Sequence, residues 1–265
     1  MLQYGLLGNP IQHSLSPQIH YTFARQLNHT INYQLYELEQ NAIKDFLQEF
    51  ATYGHGLNIT TPFKDEATSF VETNCSNINV IVNNSKLFGF CVDGLGFAQV
   101  IKNLNWSIHN KNILIIGAGN AAYSIANELI KMRPAKITIG ARSTKKAKIK
   151  LKAIKKSLCF NQLSALDESF DFIFQASSAG LHGNPITFNP DWIKKTSIIM
   201  DLNYNEKADA FLEQVKKQSP KLAINGLHLL IEQAAYSYKL WTKTHPNTAC
   251  FYDRSCPEKT TLTPS

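Results

Sequence analysis

The sequence predicts an α/β protein of two domains, and three observations carry that prediction. Strand-like and helix-like apolar patterns alternate along most of the chain. A continuous apolar run, Ile113-Leu114-Ile115-Ile116, leads straight into Gly117, as a strand buried on both faces of a parallel sheet does. The chain has 265 residues, 44% of them hydrophobic, enough for two modest domains with packed cores.

The elements follow in order. Residues 3–7 read as a short strand. Ser16 offers an N-cap and Pro17 a first helical position, opening a helix through Ile19, Phe23, Ala24 and Leu27. Residues 33–38 alternate like a strand, and Ile43, Phe46, Leu47 and Phe50 recur at the spacing of one helix face. Residues 56–59 are strand-like, and Thr61-Pro62 is expected to start a helix through Ala67, Phe70 and Val71. Ile78, Val80 and Val82 suggest a further strand, and Phe97, Val100, Ile101 and Leu104 a helical stripe. After the run at 113–116, Ala122, Ile125, Ala126, Leu129 and Ile130 mark a helix. Strand candidates at 136–139, 170–174, 197–200 and 222–224 are mostly separated by helical segments, the rhythm of a doubly wound parallel sheet. The final helix, about 227–242, is hydrophobic enough to pack back on the first domain. The expected division is therefore 1–93 plus 227–265 for one domain and 94–226 for the other. The tail after Pro246 is expected to be loosely held.

Composition excludes several classes. No apolar run approaches the ~18 residues of a membrane helix, and the first residues lack a secretion-signal pattern. Five cysteines, Cys75, Cys91, Cys159, Cys250 and Cys256, are scattered and never form a C-x-x-C pair. That argues for a reducing, cytoplasmic setting and against a zinc ribbon or disulfide framework. The formal net charge is +7 with only 18% charged residues. Residues 145–156 hold seven lysines interleaved with Ala147, Ile149, Leu151 and Ile154, which reads as a helix with a solvated basic face. With no aromatic platform or nucleic-acid motif beside it, no nucleic-acid partner is expected. No metal is expected either, because no His, Cys or carboxylate cluster has ligand spacing.

The segment Gly117-Ala118-Gly119-Asn120-Ala121-Ala122 joins the apolar strand to a helix start. Gly117 permits a tight turn, Gly119 lets the backbone approach a pyrophosphate, and Ala122 stands at the third position of G-x-G-x-x-G/A. A plain tight turn would look similar, but the strand before it and the helix after it favour a dinucleotide. The next strand ends in Ala141-Arg142-Ser143-Thr144-Lys145-Lys146. An NAD-selective site would carry Asp or Glu here, whereas guanidinium and ammonium groups suit the extra phosphate of NADP.

The first domain carries a polar constellation. Gly8-Asn9-Pro10-Ile11-Gln12-His13-Ser14-Leu15-Ser16-Pro17 brings Ser14 and Ser16 to a helix N-terminus, a setting that suits a carboxylate. Asn58-Ile59-Thr60-Thr61-Pro62-Phe63-Lys64 brings an amide, two hydroxyls and a lysine to a strand end. Asp93 stands before Gly94 between a strand and a helix; alone it would read as a turn residue. His13 and His20 read as structural.

These segments, with Gly226 and Gln233-Ala234-Ala235, make the chain similar to the shikimate dehydrogenase family from Tyr4 to Trp241. The resemblance implies an α/β substrate domain, a Rossmann domain, and reversible NADPH-dependent reduction of 3-dehydroshikimate in aromatic amino-acid biosynthesis. It implies a small-molecule substrate, no membrane partner, and a monomer or homodimer. Position by position, it makes Lys64 and Asp93 the catalytic pair. Ser14 and Ser16 would hold the carboxylate, and Thr60, Asn79, Asp93 and Gln233 the ring hydroxyls, with Tyr204 nearby. Gly117, Ala118, Gly119, Asn120 and Ala121 would hold the pyrophosphate. Ala141, Arg142, Ser143, Lys145 and Lys146 would hold the adenosine phosphate, and Leu202 and Gly226 would lie near the nicotinamide. The implied chemistry is coherent: hydride reaches the carbonyl carbon, charge grows on its oxygen, and Lys64 can protonate it while Asp93 orients the pair.

The chain also departs from the family pattern. Asn-Thr-Asp-Gly reads Cys91-Val92-Asp93-Gly94, and Val-Asn-Thr reads Ile78-Asn79-Val80. Asn120 replaces a loop glycine, Asn-Arg-Thr becomes Ala141-Arg142-Ser143, and Asn-Ala-Thr becomes Gln175-Ala176-Ser177. Asn225-Gly226-Leu227-His228 replaces Asp-Gly-Leu-Gly, and Glu206 and Asp209 replace a Pro and a Thr after Tyr204. Most of these changes lie in the cofactor half, so weakened NADP binding is expected, with His228 crowding the nicotinamide. A quinate/shikimate dehydrogenase with relaxed substrate or cofactor use, and a non-catalytic ligand-binding relative, stay open as alternatives.

Overall fold

The computed structural model describes residues 1–179, 186, 189–204 and 206–253, with backbone alone at 206–209. The side chains at the departures Glu206 and Asp209, and the tail from 254 onward with Cys256, lie outside that description. The chain forms two compact units, Met1–Gly96 with Leu230–Ser265, and Phe97–Leu229.

The first unit is built on a five-stranded sheet of β1 (Leu2–Gly8), β2 (Ile31–Glu37), β3 (Gly56–Ile59), β4 (Val80–Asn83) and β5 (Leu87–Phe90). The order is β2-β1-β3-β4-β5. β1 runs parallel to β2 and β3, and β4 runs antiparallel to β3 and β5. Consequently the loops leaving β1 and β3, the entry to β4 and the exit from β5 all meet at one edge. Helices α1 (Ser16–Gln26) and α2 (Ile43–Tyr53) supply the crossovers. Leu7, Phe50, Leu57 and Phe63 form a buried cluster together with α2. A second, aromatic cluster joins Tyr4, His20, Phe23, Tyr33, Tyr238 and Trp241, with Trp241 stacked 4.6 Å from Tyr4.

Three expectations for this unit need correction. Residues 61–71 form successive turns and a 3-10 stretch, Glu66–Phe70, rather than an α-helix. Phe63 and Ala67 are both buried four residues apart, so burial mimics helical spacing where the backbone is wound more tightly. Ser16 is the first helical residue rather than the cap, which is Leu15 with no side-chain bond, so the Ser16 hydroxyl is not spent on capping. The segment after Pro246 is not loose as far as 253. Ala249–Tyr252 forms a 3-10 turn, Phe251 is buried edge-on against Phe23, and the Tyr252 hydroxyl donates to Glu232 at 2.9 Å. None of the four described cysteines is in a disulfide.

The second unit carries an all-parallel sheet of β6 (Asn112–Ile116), β7 (Lys136–Ala141), β8 (Cys159–Gln162), β9 (Phe170–Gln175), β10 (Ile193–Asp201) and β11 (Leu222–Ile224). The order β11-β10-β9-β6-β7-β8 is doubly wound. Helices α3 (Asp93–Asn103), α4 (Asn120–Lys131), α5 (Thr144–Lys150), α6 (Glu206–Lys216) and α7 (Leu227–Thr242) follow in the chain. The chain enters this unit within α3 and leaves it within α7. Successive residues of β6 alternate between two cores: Ile113 and Ile115 join Ile125, Leu129 and Phe174, while Leu114 and Ile116 join Ile173, Phe211 and Val215. That alternation explains the unbroken apolar run. The lysine-rich helix ends at Lys150, earlier than expected, with Ala147 and Leu151 buried and Ile149 exposed. The short edge strand β8 was not signalled, because its four residues are half-buried or exposed and lack an apolar face.

Candidate active site

The polar constellation of the first unit assembles at the single edge described above. β4 pairs with β3 so that Val80 faces Asn58, and the Ile59 amide donates to the Asn79 carbonyl at 2.9 Å. Asn79 is thereby held beside the strand end that leads to Thr60 and Lys64. Val80 also pairs with Phe90, so β5 delivers Cys91, Val92 and Asp93 to the same edge. Asn79 then clamps this return: its Oδ1 accepts the Val92 amide at 2.8 Å and its Nδ2 donates to Asp93 Oδ1 at 2.6 Å.

Asp93 is the centre of the arrangement. It is only 4% exposed. Its Oδ2 accepts from Lys64 Nζ at 3.1 Å, and its Oδ1 accepts from Gln233 Nε2 at 2.9 Å as well as from Asn79. A carboxylate this deeply buried requires such donors, since an unpaired charge there would be costly. Gln233 reaches it because α7 passes beside the first turn of α3, with Gln233 against Gly96. Lys64 is one-quarter exposed (26%), so its ammonium is paired on one side and accessible on the other. The pair is thus a buried carboxylate holding a partly exposed ammonium in one orientation.

Ser14 and Ser16 lie at the same edge, on the loop from β1 into α1. They are buried and bond each other Oγ to Oγ at 3.1 Å, and the Ser16 amide donates to Ser14 Oγ at 3.2 Å. Two hydroxyls at a helix N-terminus suit an anion. The loop is tied to its neighbour by the Asn9 amide, which donates to Thr61 O at 3.1 Å, and the Thr60 amide donates to Leu7 O at 2.9 Å.

Sequence reasoning missed what holds this edge from beneath. Asn58 Oδ1 accepts from the Tyr33 hydroxyl at 2.9 Å, and its Nδ2 donates to Ser237 Oγ at 2.7 Å. Ser237 in turn donates to the Gln233 carbonyl at 2.9 Å. The signal was an amide inside the apolar strand Gly56-Leu57-Asn58-Ile59, which needs buried partners. His20 is structural: it is 0% exposed and stacked 4.4 Å from Tyr33, and burial pushes its imidazole down to about 3. His13 is exposed.

In the second unit the expected dinucleotide residues gather at the carboxyl edge of the parallel sheet. Gly117 has φ +111°, and a Cβ there would come within 2.9 Å of the Ser177 nitrogen. Around Gly119 a Cβ would meet nothing within 4 Å, so space is open above the turn. Gly119 is also the N-cap of α4 and supplies no side-chain bond, so the positive end of the helix dipole lies at the turn. After β7, Arg142, Lys145 and Lys146 are exposed, and Ser143 caps α5 by accepting from the Lys146 amide. Leu202 and Gly226 meet directly: the Leu202 carbonyl occupies the place a Gly226 side chain would take, and the Gly226 amide donates to Asn203 O at 2.8 Å. Tyr204 follows β10 in this second unit, half-buried. A turn with open space, an uncapped helix and a basic segment together fit a phosphorylated dinucleotide. Among the described residues, no cluster of three His, Cys, Asp or Glu is placed to hold a metal, and no helix is long and apolar enough to cross a membrane.

Comparison with known proteins agrees with this layout. Residues 6–81 match the family model of the shikimate dehydrogenase substrate binding domain, and residues 98–187 that of shikimate / quinate 5-dehydrogenase. A shikimate dehydrogenase (NADP(+)) of Psychromonas ingrahamii is 33% identical over 260 residues, covering 93% of this chain and 95% of that protein. Among solved structures, an Ael1 enzyme from Pseudomonas putida superposes with a TM-score of 0.86 at 26% identity, over 94% of this chain and 96% of the other. A shikimate dehydrogenase solved in complex with NADP+ does so at 0.82 and 28% identity, over 93% and 92%.

Proposed function

The chain belongs to the shikimate dehydrogenase family, and from that premise we propose that it catalyses the reversible NADPH-dependent reduction of 3-dehydroshikimate to shikimate, a step of aromatic amino-acid biosynthesis. The observation that carries this reading is the convergence of Lys64, Asn79 and Gln233 on the buried Asp93 carboxylate. When bound, NADPH supplies the hydride that the carbonyl carbon receives. Negative charge then grows on the carbonyl oxygen, and Lys64 donates a proton to it; in the oxidative direction Lys64 takes the proton back. Asp93 keeps the ammonium aimed. The amides of Asn79 and Gln233 fix Asp93 Oδ1, so that Oδ2 stays turned to Lys64.

Ser14 and Ser16 bind the substrate carboxylate. Thr60, Asn79, Asp93 and Gln233 bind ring hydroxyls, and Tyr204 completes the substrate set. Gly117 to Ala121 hold the pyrophosphate through backbone amides, and Arg142, Lys145 and Lys146, with Ala141 and Ser143, hold the adenosine phosphate. Leu202 and Gly226 border the nicotinamide. On this reading, residues 1–93 plus 227–265 serve the substrate and 94–226 the cofactor.

The test supplies purified protein with shikimate or quinate, and with NADP or NAD, and follows formation of the reduced nucleotide by absorbance. Shikimate with NADP is expected to turn over fastest. Absence of turnover with shikimate favours a ligand-binding relative, and preference for quinate with NAD favours the quinate branch; either overturns the reading.

A further inference from the structure

The carboxyl edge of the parallel sheet contains a buried amide that the proposed chemistry does not use. Gln175 is the last residue of β9 and is 0% exposed. Across the sheet it is paired on one side with Ile116, the last residue of β6, and on the other with Asp201, the last of β10. β6 and β9 are the adjacent strands at which the sheet changes direction: β6 leads to β7 on one side and β9 to β10 on the other. A crevice opens at the carboxyl ends of two such strands, and ligands of doubly wound sheets bind there.

One lip of that crevice is the turn Gly117–Gly119. The other is Ala176-Ser177, and the two lips touch, since a Cβ on Gly117 would come within 2.9 Å of Ser177 N and 3.0 Å of Ala176 C. Gln175 folds back onto the second lip instead of pointing along the strand. Its Oε1 accepts the Ser177 amide at 2.6 Å and its Nε2 donates to the Ser177 carbonyl at 3.2 Å. The Ala176 amide meanwhile continues the ladder to Ile116 O at 2.8 Å. Both main-chain groups of Ser177 are therefore tied to one side chain. An asparagine, which the family pattern places here, is one methylene shorter and bonds the amide two residues on in an Asx turn. The neighbouring strand end repeats the device: buried Asp201 accepts the Asn203 amide and side chain, both at 2.9 Å, and Asn203 O receives Gly226 N.

We propose that Gln175 is a positioning residue for the dinucleotide, fixing the Ala176-Ser177 lip against Gly117 so that the pyrophosphate turn keeps its width. This rests on the NADP reading above. Two variants test it: Gln175→Met, of nearly equal volume but without hydrogen-bonding groups, and Gln175→Asn, which keeps an acceptor for the Ser177 amide. Binding of NADP, 2′-AMP and shikimate is measured by titration calorimetry.

Gln175→Met is expected to weaken NADP binding about tenfold while 2′-AMP, which lacks the pyrophosphate, and shikimate stay within twofold. Gln175→Asn is expected to recover NADP binding to within about threefold. Unchanged NADP affinity in Gln175→Met overturns the assignment. So does equal loss of 2′-AMP, which would mean general damage, or an Asn variant as weak as the Met variant. If the wild type itself fails to bind NADP, the proposed activity falls as well; the other failures leave it standing.

Discussion

On the proposed function, the two sheet edges would serve their ligands by opposite means. At the edge of the mixed sheet the working atoms belong to side chains: the Lys64 ammonium, the Asp93 carboxylate, the amides of Asn79 and Gln233, and the hydroxyls of Ser14 and Ser16. At the edge of the parallel sheet they belong mainly to backbone: the turn at Gly117, the open space at Gly119, the first amides of α4 and the contact of Gly226 with the Leu202 carbonyl. A side-chain site fixes residue identity, whereas a backbone site fixes only shape and room. This explains where the chain departs from the family pattern. Asn120, Ala141, Gln175 and His228 are replacements in the backbone-built half, yet its turn, helix start and strand ends are all formed. In the other half, Cys91, Val92, Ile78 and Val80 vary around Asn79 and Asp93, whose polar atoms carry the network.

The comparison breaks first at Lys64. If chemistry resides in side chains of the first unit alone, Lys64→Ala lowers kcat for shikimate oxidation by about 10³-fold, within the range of general acid–base contributions. The NADP dissociation constant should stay within twofold by calorimetric titration. Turnover above a tenth of wild type would remove Lys64 from proton transfer.

Two glycines sharpen the contrast in the second unit. Gly226→Ala forces a methyl onto the Leu202 carbonyl, so it should lower stability by about 1–3 kcal/mol in urea unfolding, the usual cost of overpacking. Gly119→Ala meets no atom within 4 Å and should leave stability unchanged while weakening NADP, because its methyl enters the ligand's space. Equal unfolding midpoints for all three proteins would count against a backbone-shaped site.

Arg142 is the exception that tests the rule, a side chain acting in the backbone-built half. It is exposed after β7, so the bond proposed for it to a 2′-phosphate would be partly screened by solvent. Arg142→Ala should lower the preference for NADP over NAD about tenfold in kcat/KM and leave the NAD value unchanged. A loss shared equally by both nucleotides would assign Arg142 to the fold instead.

Legibility in the sequence divides along the same line. Ser14, Ser16, Lys64 and Asp93 stood out as polar residues at strand ends and loops, and Asn79 and Gln233 through the family resemblance; the structure brings Lys64, Asn79 and Gln233 together on Asp93. The parallel sheet was readable from Ile113 to Ile116, since burial on two faces leaves no polar alternation. The supports were not. Asn58 carried one local mark, an amide inside an apolar strand, but its partners Tyr33 and Ser237 are distant in the chain, and Gln175 acts on main-chain atoms of Ser177. The turns at 61–71 were misread because Ala67, Phe70 and Val71 recur at helical spacing; β5 and β8 escaped notice because each is only four residues long, and β8 also lacks an apolar face.

The last expected effect concerns acid, and it again separates the units. His20 lies in the aromatic cluster of the first unit, 4.4 Å from Tyr33 and 5.1 Å from Trp241, where burial pushes its imidazole down to about 3 from an ordinary 6.5. Between those values the unfolded chain binds a proton that the folded chain refuses. Stability from this group is therefore complete above pH 6.5 and is lost as pH falls, with a slope of up to about 1.4 kcal/mol per pH unit. In the second unit His109 is exposed and His228 half-buried, so neither repeats this fully enclosed ring. His20→Phe keeps a ring in the stack and removes the proton, so its stability should fall less steeply with acid in urea unfolding. In the wild type, amide exchange in α1 and β2 should rise with acid before exchange in β6 does. Identical slopes for the two proteins, or simultaneous loss of protection in β6, would mean that this ring does not set the acid limit of the side-chain-built unit.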